Sequence, residues 1–230
     1  MTDTPLIDRA VTAALVEPLR ARLEALHERL RVAGGHEVEL LAVSKAQPVE
    51  AAVAAAQVGL TSLGENYAQE LASKAEAIAA DNHRIDWHFV GQLQRNKVRL
   101  IAEHVAVWQS VDRLRVGEEI AKRAPGATVF AQVNLADDPG KAGCAFDEVD
   151  ELVDQLRELG LRVEGLMGVG TAEDTTATSA GFDQLRAVVD RHGLNHCSMG
   201  MTDDLELAVA AGSTMVRIGT AVFGPRSRPT

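Results

Sequence analysis

One recurrence limits this chain to very few folds. Short apolar or β-branched runs begin near Val38, Thr61, Ile85, Val105, Thr128, Val163, Leu194 and Thr214, at intervals of 23, 24, 20, 23, 35, 31 and 20 residues. Each interval has room for one strand, one helix and two short loops. Helical patterning fills the stretches between the runs, over 49–58, 68–80, 93–104, 114–124, 148–159, 182–191 and 205–211. Alternating strand and helix implies parallel strands, because a parallel neighbour is reached only through a crossover. Eight such units in 230 residues predict an α/β fold, a closed (β/α)8 TIM-type barrel, for which roughly 250 residues is usual. A doubly wound open sheet is the alternative, but Val43-Ser44-Lys45-Ala46 stands where a dinucleotide fold would place its glycines.

Ahead of the first run, Val11, Leu15, Leu19, Leu23, Leu26 and Leu30 are spaced 4, 4, 4, 3 and 4 apart and predict an extra N-terminal helix ended by Gly34-Gly35. Pro18 would kink or restart it. With no linker or low-complexity tract in between, the expectation is a single domain over 1–230. It comprises an N-terminal helix within 1–35, a barrel over 36–224 and a tail over 225–230.

Composition narrows the function classes. At 46% hydrophobic but 3% aromatic, the core is aliphatic. Lys plus Arg number 23 against 33 Asp plus Glu, a net charge of -10, which opposes binding to nucleic acid or an anionic membrane. Met1 to Asp8 lacks the apolar run of a signal peptide, and no stretch of about 18 apolar residues occurs, so a cytoplasmic protein is expected. Cys144 and Cys197 have no CxxC partner and read as buried thiols, not disulfide or zinc ligands.

Active sites of such barrels gather at the carboxyl ends of the strands. Among five lysines, Lys45 alone ends an apolar strand, Leu40-Leu41-Ala42-Val43. Two readings weigh equally there. A desolvated amine with lowered pKa would attack a carbonyl to form a Schiff base, whereas a structural lysine would pair with a carboxylate such as Glu65. After strands seven and eight, Ser198, Gly200, Gly219 and Thr220 supply the hydroxyls and close-approach glycines of a phosphate site. Thr202 or Asp203 would cap the intervening helix, with Glu206 completing a capping box and Gly212 ending the helix.

Arg217, on the same face of strand eight as Met215, needs an acceptor in an aliphatic strand. Against a pyridine ring it would donate to the nitrogen and keep it unprotonated, which makes the ring a poor electron sink. Asn66, His88 and Asn134 either line the pocket or bond strand-end backbone, with a structural role favoured for His88. Tyr67 is equally suited to packing or proton transfer, and Trp87 and Trp108 to packing between strands and helices. The basic segment with Arg95, Lys97 and Arg99 reads as a solvated helix entry, or else a docking surface.

Together these segments resemble the pyridoxal phosphate homeostasis proteins of the YggS/PROSC type, which are similar to the N-terminal barrel of alanine racemase. The matching stretches are 41–45, Gly64-Glu65-Asn66-Tyr67, Trp87-His88-Phe89-Val90-Gly91, 198–204 and 212–220. The resemblance implies pyridoxal 5'-phosphate (PLP) held as a Schiff base on Lys45, with its phosphate received by Ser198, Gly219 and Thr220 and its ring nitrogen near Arg217. Asn66 and Met199 would line the pocket. Thr202 stands where the family often has serine, Gln92 and Arg95 vary the Gly-x-Leu-Gln stretch, and Gly168-Val169-Gly170 replaces a more familiar loop at the pocket rim.

The role so implied is vitamin B6 and amino-acid homeostasis with no established catalytic turnover, and apo PLP-dependent enzymes are the expected recipients of PLP; the lack of an added domain predicts a monomer. The alternative is a PLP-dependent racemase or decarboxylase. A two-base racemase takes its second base from an added domain, and eight βα units use up this chain. A Schiff-base aldolase would explain Lys45 but not Arg217.

Overall fold

Runs too short for helices become the strands β1 (Glu39–Val43), β2 (Ser62–Glu65), β3 (Asp86–Phe89), β4 (Val105–Val111), β5 (Thr128–Val133), β6 (Arg162–Gly168), β7 (His196–Ser198) and β8 (Met215–Ile218). The structure is a computed structural model that describes residues 7–136, 138, 140–171 and 174–225. Among these residues the eight strands close into one barrel in chain order, each parallel to its neighbours. Leu41 registers with Arg217 and Val43 with Gly64, so β1 sits between β8 and β2. The expected (β/α)8 barrel is what the chain forms.

The helices are α1 (Arg9–Val32), α2 (Val49–Gln57), α3 (Ala68–Ala80), α4 (Arg95–Ile101), α5 (Leu114–Arg123), α6 (Val149–Glu158), α7 (Thr175–Arg191), α8 (Leu205–Ala210) and α9 (Thr220–Phe223). The extra N-terminal helix is α1, capped by the Asp8 carboxylate, which accepts from the Ala10 and Val11 N–H groups at 2.9 and 3.1 Å. Pro18 neither breaks nor restarts it; the proline is exposed, where the carbonyl it leaves unpaired can meet water. Gly34, at φ +86°, follows its end as expected. Residues 1–6 of the expected N-terminal segment and 226–230 of the expected tail lie outside the described residues.

Two further boundaries differ from the pattern. α7 starts seven residues early because Asp174 caps it, accepting from the Ala177 N–H at 2.9 Å, although its first turns lack apolar spacing. The capping box before α8 does not form. Asp204 holds the cap position and accepts from the Met201 N–H at 2.5 Å, while Glu206 reaches across to Arg29 of α1 at 2.5 and 2.6 Å.

Strand alternation separates two apolar layers. Leu41, Phe130, Met167 and Met215 form a small cluster of their own, and a much larger cluster lies between strands and helices. Leu19, Leu23, Leu26 and Leu30 of α1 join the larger one, as do Trp87, Trp108, Cys144 and Cys197. Both cysteines are free thiols, pushed up to about 12 chiefly by burial.

Candidate functional site

A cavity of about 420 Å³ opens at the carboxyl ends of the strands. Val43, Lys45 and Gln47 reach it from β1 and the loop beyond, Asn66 from the end of β2 and Val90 from the end of β3. The opposite wall is Val169, the segment Met201-Thr202-Asp203, then Arg217, Gly219 and Thr220. The half-buried Lys45 is therefore brought together with Asn66, Arg217, Gly219 and Thr220.

The alternative partner for Lys45, Glu65, is taken by another lysine. The Lys74 ammonium donates to Glu65 at 2.7 Å, and both groups are buried. That pair was not legible beforehand, because the inward face of α3, with Ala68, Leu71, Ala72, Ala75 and Ile78, is apolar and Lys74 stands beside it; the Glu70 and Lys74 spacing, one turn apart, was the available signal. Next to Lys45, Ala46 adopts φ +57°, the left-handed region that alanine rarely occupies.

Arg217 is buried under the cavity. Its guanidinium donates to the Ser198 carbonyl at 2.7 Å, the Ser198 hydroxyl at 2.8 Å and the Gly168 carbonyl at 2.7 Å. Burial brings its pKa down to about 10, against the pull of Asp204, so it stays protonated at neutral pH. The Ser198 hydroxyl, itself fully buried, donates to the Gln109 amide oxygen at 2.7 Å. Gln109 in turn lies 2.7 Å from His88 Nδ1, which accepts its N–H because burial drives the imidazole down to about 4 and leaves it neutral. No sequence signal marks Gln109; its part depends on bringing β4 beside β3 and opposite β7 in the barrel.

Four candidate residues, Ser198, Met199, Gly200 and Asn134, lie outside the cavity lining. Ser198 is committed to Gln109 and Arg217 and does not belong to the cavity lining. Met199 follows it on the opposite face of the strand and packs fully buried in the outer cluster. Gly200, at φ +97°, is held for packing: a Cβ there would come 2.5 Å from that of Ala208. Asn134 bonds its own strand-end turn, donating to the Asp138 carbonyl at 2.7 Å and accepting from the Ala136 N–H at 3.3 Å. Tyr67 is 56% exposed and borders a neighbouring cavity with Lys97.

Two features of the wall bear on what it can hold. The Asn66 side-chain oxygen is buried with no hydrogen-bond partner. At Gly219 a Cβ would stand 3.3 Å from the Val43 carbonyl, so glycine lets the start of α9 close against the end of β1.

Comparison with known proteins supplies the family and supports the fold. Residues 17–227 match the model of the family described as alanine racemase, N-terminal domain. A pyridoxal phosphate homeostasis protein of Haemophilus influenzae is 38% identical over 206 residues, covering 84% of this chain and 87% of that protein. PipY of Synechococcus elongatus PCC7942, solved with PLP bound, superposes with a TM-score of 0.77 at 33% identity, covering 90% of this chain and all of its own. An alanine racemase of Clostridium difficile shares the fold alone, at 14% identity and a TM-score of 0.68, with 92% of this chain matched to 57% of the racemase. By its match to the domain and its identity to the curated relative, the chain belongs to the pyridoxal phosphate homeostasis protein family, within the alanine racemase N-terminal-domain class of barrels.

Proposed function

We propose that this protein binds pyridoxal 5'-phosphate as a Schiff base on Lys45 and acts in intracellular vitamin B6 and amino-acid homeostasis, without catalytic turnover of its own. The observation that carries the reading is the convergence of an amine, a guanidinium and a Gly-Thr turn on one cavity at the active end of the barrel. The residues fit the cofactor, which when bound supplies an aldehyde, a phosphate and a pyridine nitrogen. The Lys45 amine would condense with the aldehyde, releasing water. Gly219 and Thr220 would receive the phosphate through backbone N–H groups and a hydroxyl, since the first N–H groups of a helix have no partner within it.

Arg217 would face the ring nitrogen as a donor that cannot surrender its proton at neutral pH, and Asn66 would offer its unpartnered oxygen. Ser198 supports Arg217 from behind the wall, in place of the phosphate contact that sequence resemblance implied for it. Met199 contributes through the packing of β7. We further infer a single barrel domain acting as a cytoplasmic monomer, with apo PLP-dependent enzymes as recipients. Among the described residues no helix is long and apolar enough to cross a membrane.

The test is the spectrum of the purified, PLP-loaded protein. A visible band lost on borohydride reduction, with the label on Lys45, is expected. An unchanged band in Lys45→Ala overturns the assignment.

A further inference from the structure

Behind the cavity wall lies a buried cluster that the proposed function does not use. The Lys74 ammonium, 5% exposed by residue, donates to the Ser44 carbonyl at 2.7 Å as well as to Glu65 at 2.7 Å and Glu70 at 3.3 Å. Glu65 also accepts from the Ser44 hydroxyl at 2.6 Å, and Glu70 accepts from the Ala46 N–H at 2.8 Å. Ser44 and Ala46 are the two chain neighbours of Lys45. Its main chain is thus held from both sides by one ion cluster centred on Lys74.

The strained residue points the same way. A non-glycine residue at φ +57° persists only where its surroundings fix it, and the bond from Ala46 to Glu70 does so at the turn that sends the Lys45 side chain into the cavity. Without Lys74, two neighbouring carboxylates would face each other unbalanced, and burial already pushes the Glu65 carboxyl above its usual range.

We propose that Lys74 is a positioning residue for Lys45: through Ser44, Glu65 and Glu70 it sets the backbone turn that presents the reactive amine. This rests on the reading that Lys45 holds the cofactor. Glu70 is the outer arm of the device, since its side chain is 34% exposed and tolerates substitution better than the buried pair.

The experiment compares wild type with Lys74→Met, Lys74→Arg and Glu70→Ala in two ways. In PLP-loaded protein the visible band and the rate of cofactor release are followed. Release about tenfold faster with a shifted band is expected in Lys74→Met, partly restored in Lys74→Arg, as follows from losing a charge-assisted hydrogen bond. In protein without PLP, hydrogen exchange at the Ala46 amide should rise about tenfold in Glu70→Ala while protection at Phe130 in the barrel stays unchanged. A general loss of packing would instead lower protection at both.

Wild-type release and wild-type Ala46 exchange in Glu70→Ala overturn the proposal, and they do so even if Lys74→Met fails to fold. A wild-type protein with no borohydride-reducible band at Lys45 would overturn the cofactor reading instead, and the exchange measurement would still decide the positioning.

Discussion

Arg217 carries its charge under the cavity on neutral acceptors, the carbonyls of Ser198 and Gly168 and the Ser198 hydroxyl. The donors then run in one direction, from Arg217 to Ser198, from Ser198 to Gln109, and from Gln109 to His88. That order requires His88 to be neutral, so the chain of bonds has a pH limit. The pKa of His88 falls from 6.5 to about 4 on folding, chiefly by burial. Between those values the unfolded chain binds the extra proton, so stability declines as pH drops through the window. At 1.36 kcal/mol per pKa unit the contribution is on the order of 3 kcal/mol.

Urea unfolding midpoints measured from pH 7 to 4 should fall more steeply in wild type than in His88→Gln. Equal slopes would show that His88 is not buried neutral. The identity of His88 as a structural histidine was readable in the sequence, but its partner was not, since Gln109 meets it only once β3 and β4 pair. Gly91 shows the same limit. It stood in a recognisable motif, yet the reason for glycine is tertiary: a Cβ would come 2.1 Å from the Asn66 carbonyl.

The strands were the most legible elements. Their starts fall within two residues of the apolar runs, because β-branched runs bounded by turn residues leave little freedom in where a strand begins. Helices were legible where one face was apolar. The first turns of α7 depend on a cap and have no period to read, whereas the patterned stretch 205–211 forms α8 with only its capping box replaced by the pair to Arg29. The helix α1 is the informative case, because its leucine stripe foretold burial without saying against what.

In the structure that stripe packs into the outer core, and Arg29 ties the helix to α8 through Glu206. The exposed ion pair adds little, whereas the leucines carry the attachment. Leu26, 5% exposed, should therefore lose about 2–5 kcal/mol on change to Ala, with a lowered Tm. Glu206→Ala should cost less than about 1 kcal/mol by the same measurement. A larger loss in Glu206→Ala than in Leu26→Ala would mean that charge, not apolar contact, holds α1 to the barrel.

At the scale of the whole molecule, the net charge of -10 surrounds a cavity that gathers Lys45 and Arg217, and on the proposed reading those cationic groups would serve a small phosphorylated ligand and not a polyanion. The same wall limits the chemistry that ligand can do. Exchange of an amino acid's α proton on both faces needs two groups able to give and take a proton. Arg217 keeps its proton at neutral pH and Asp203 stands exposed at the rim, so in the proposed function Lys45 would be the one placed base among the described lining residues. Arg217 as a donor to the pyridine nitrogen would also leave the ring a weak acceptor of electrons.

The PLP-loaded protein should therefore incorporate deuterium at the α carbon of L- or D-alanine more slowly than about 1 s⁻¹, below the ordinary range of enzyme turnover. The measurement is exchange in deuterated buffer with stoichiometric cofactor, followed by NMR and chiral separation. Conversion of both enantiomers at enzymatic rates would make the protein a racemase. Loss of that conversion in Asp203→Asn would then identify the rim carboxylate as the second base.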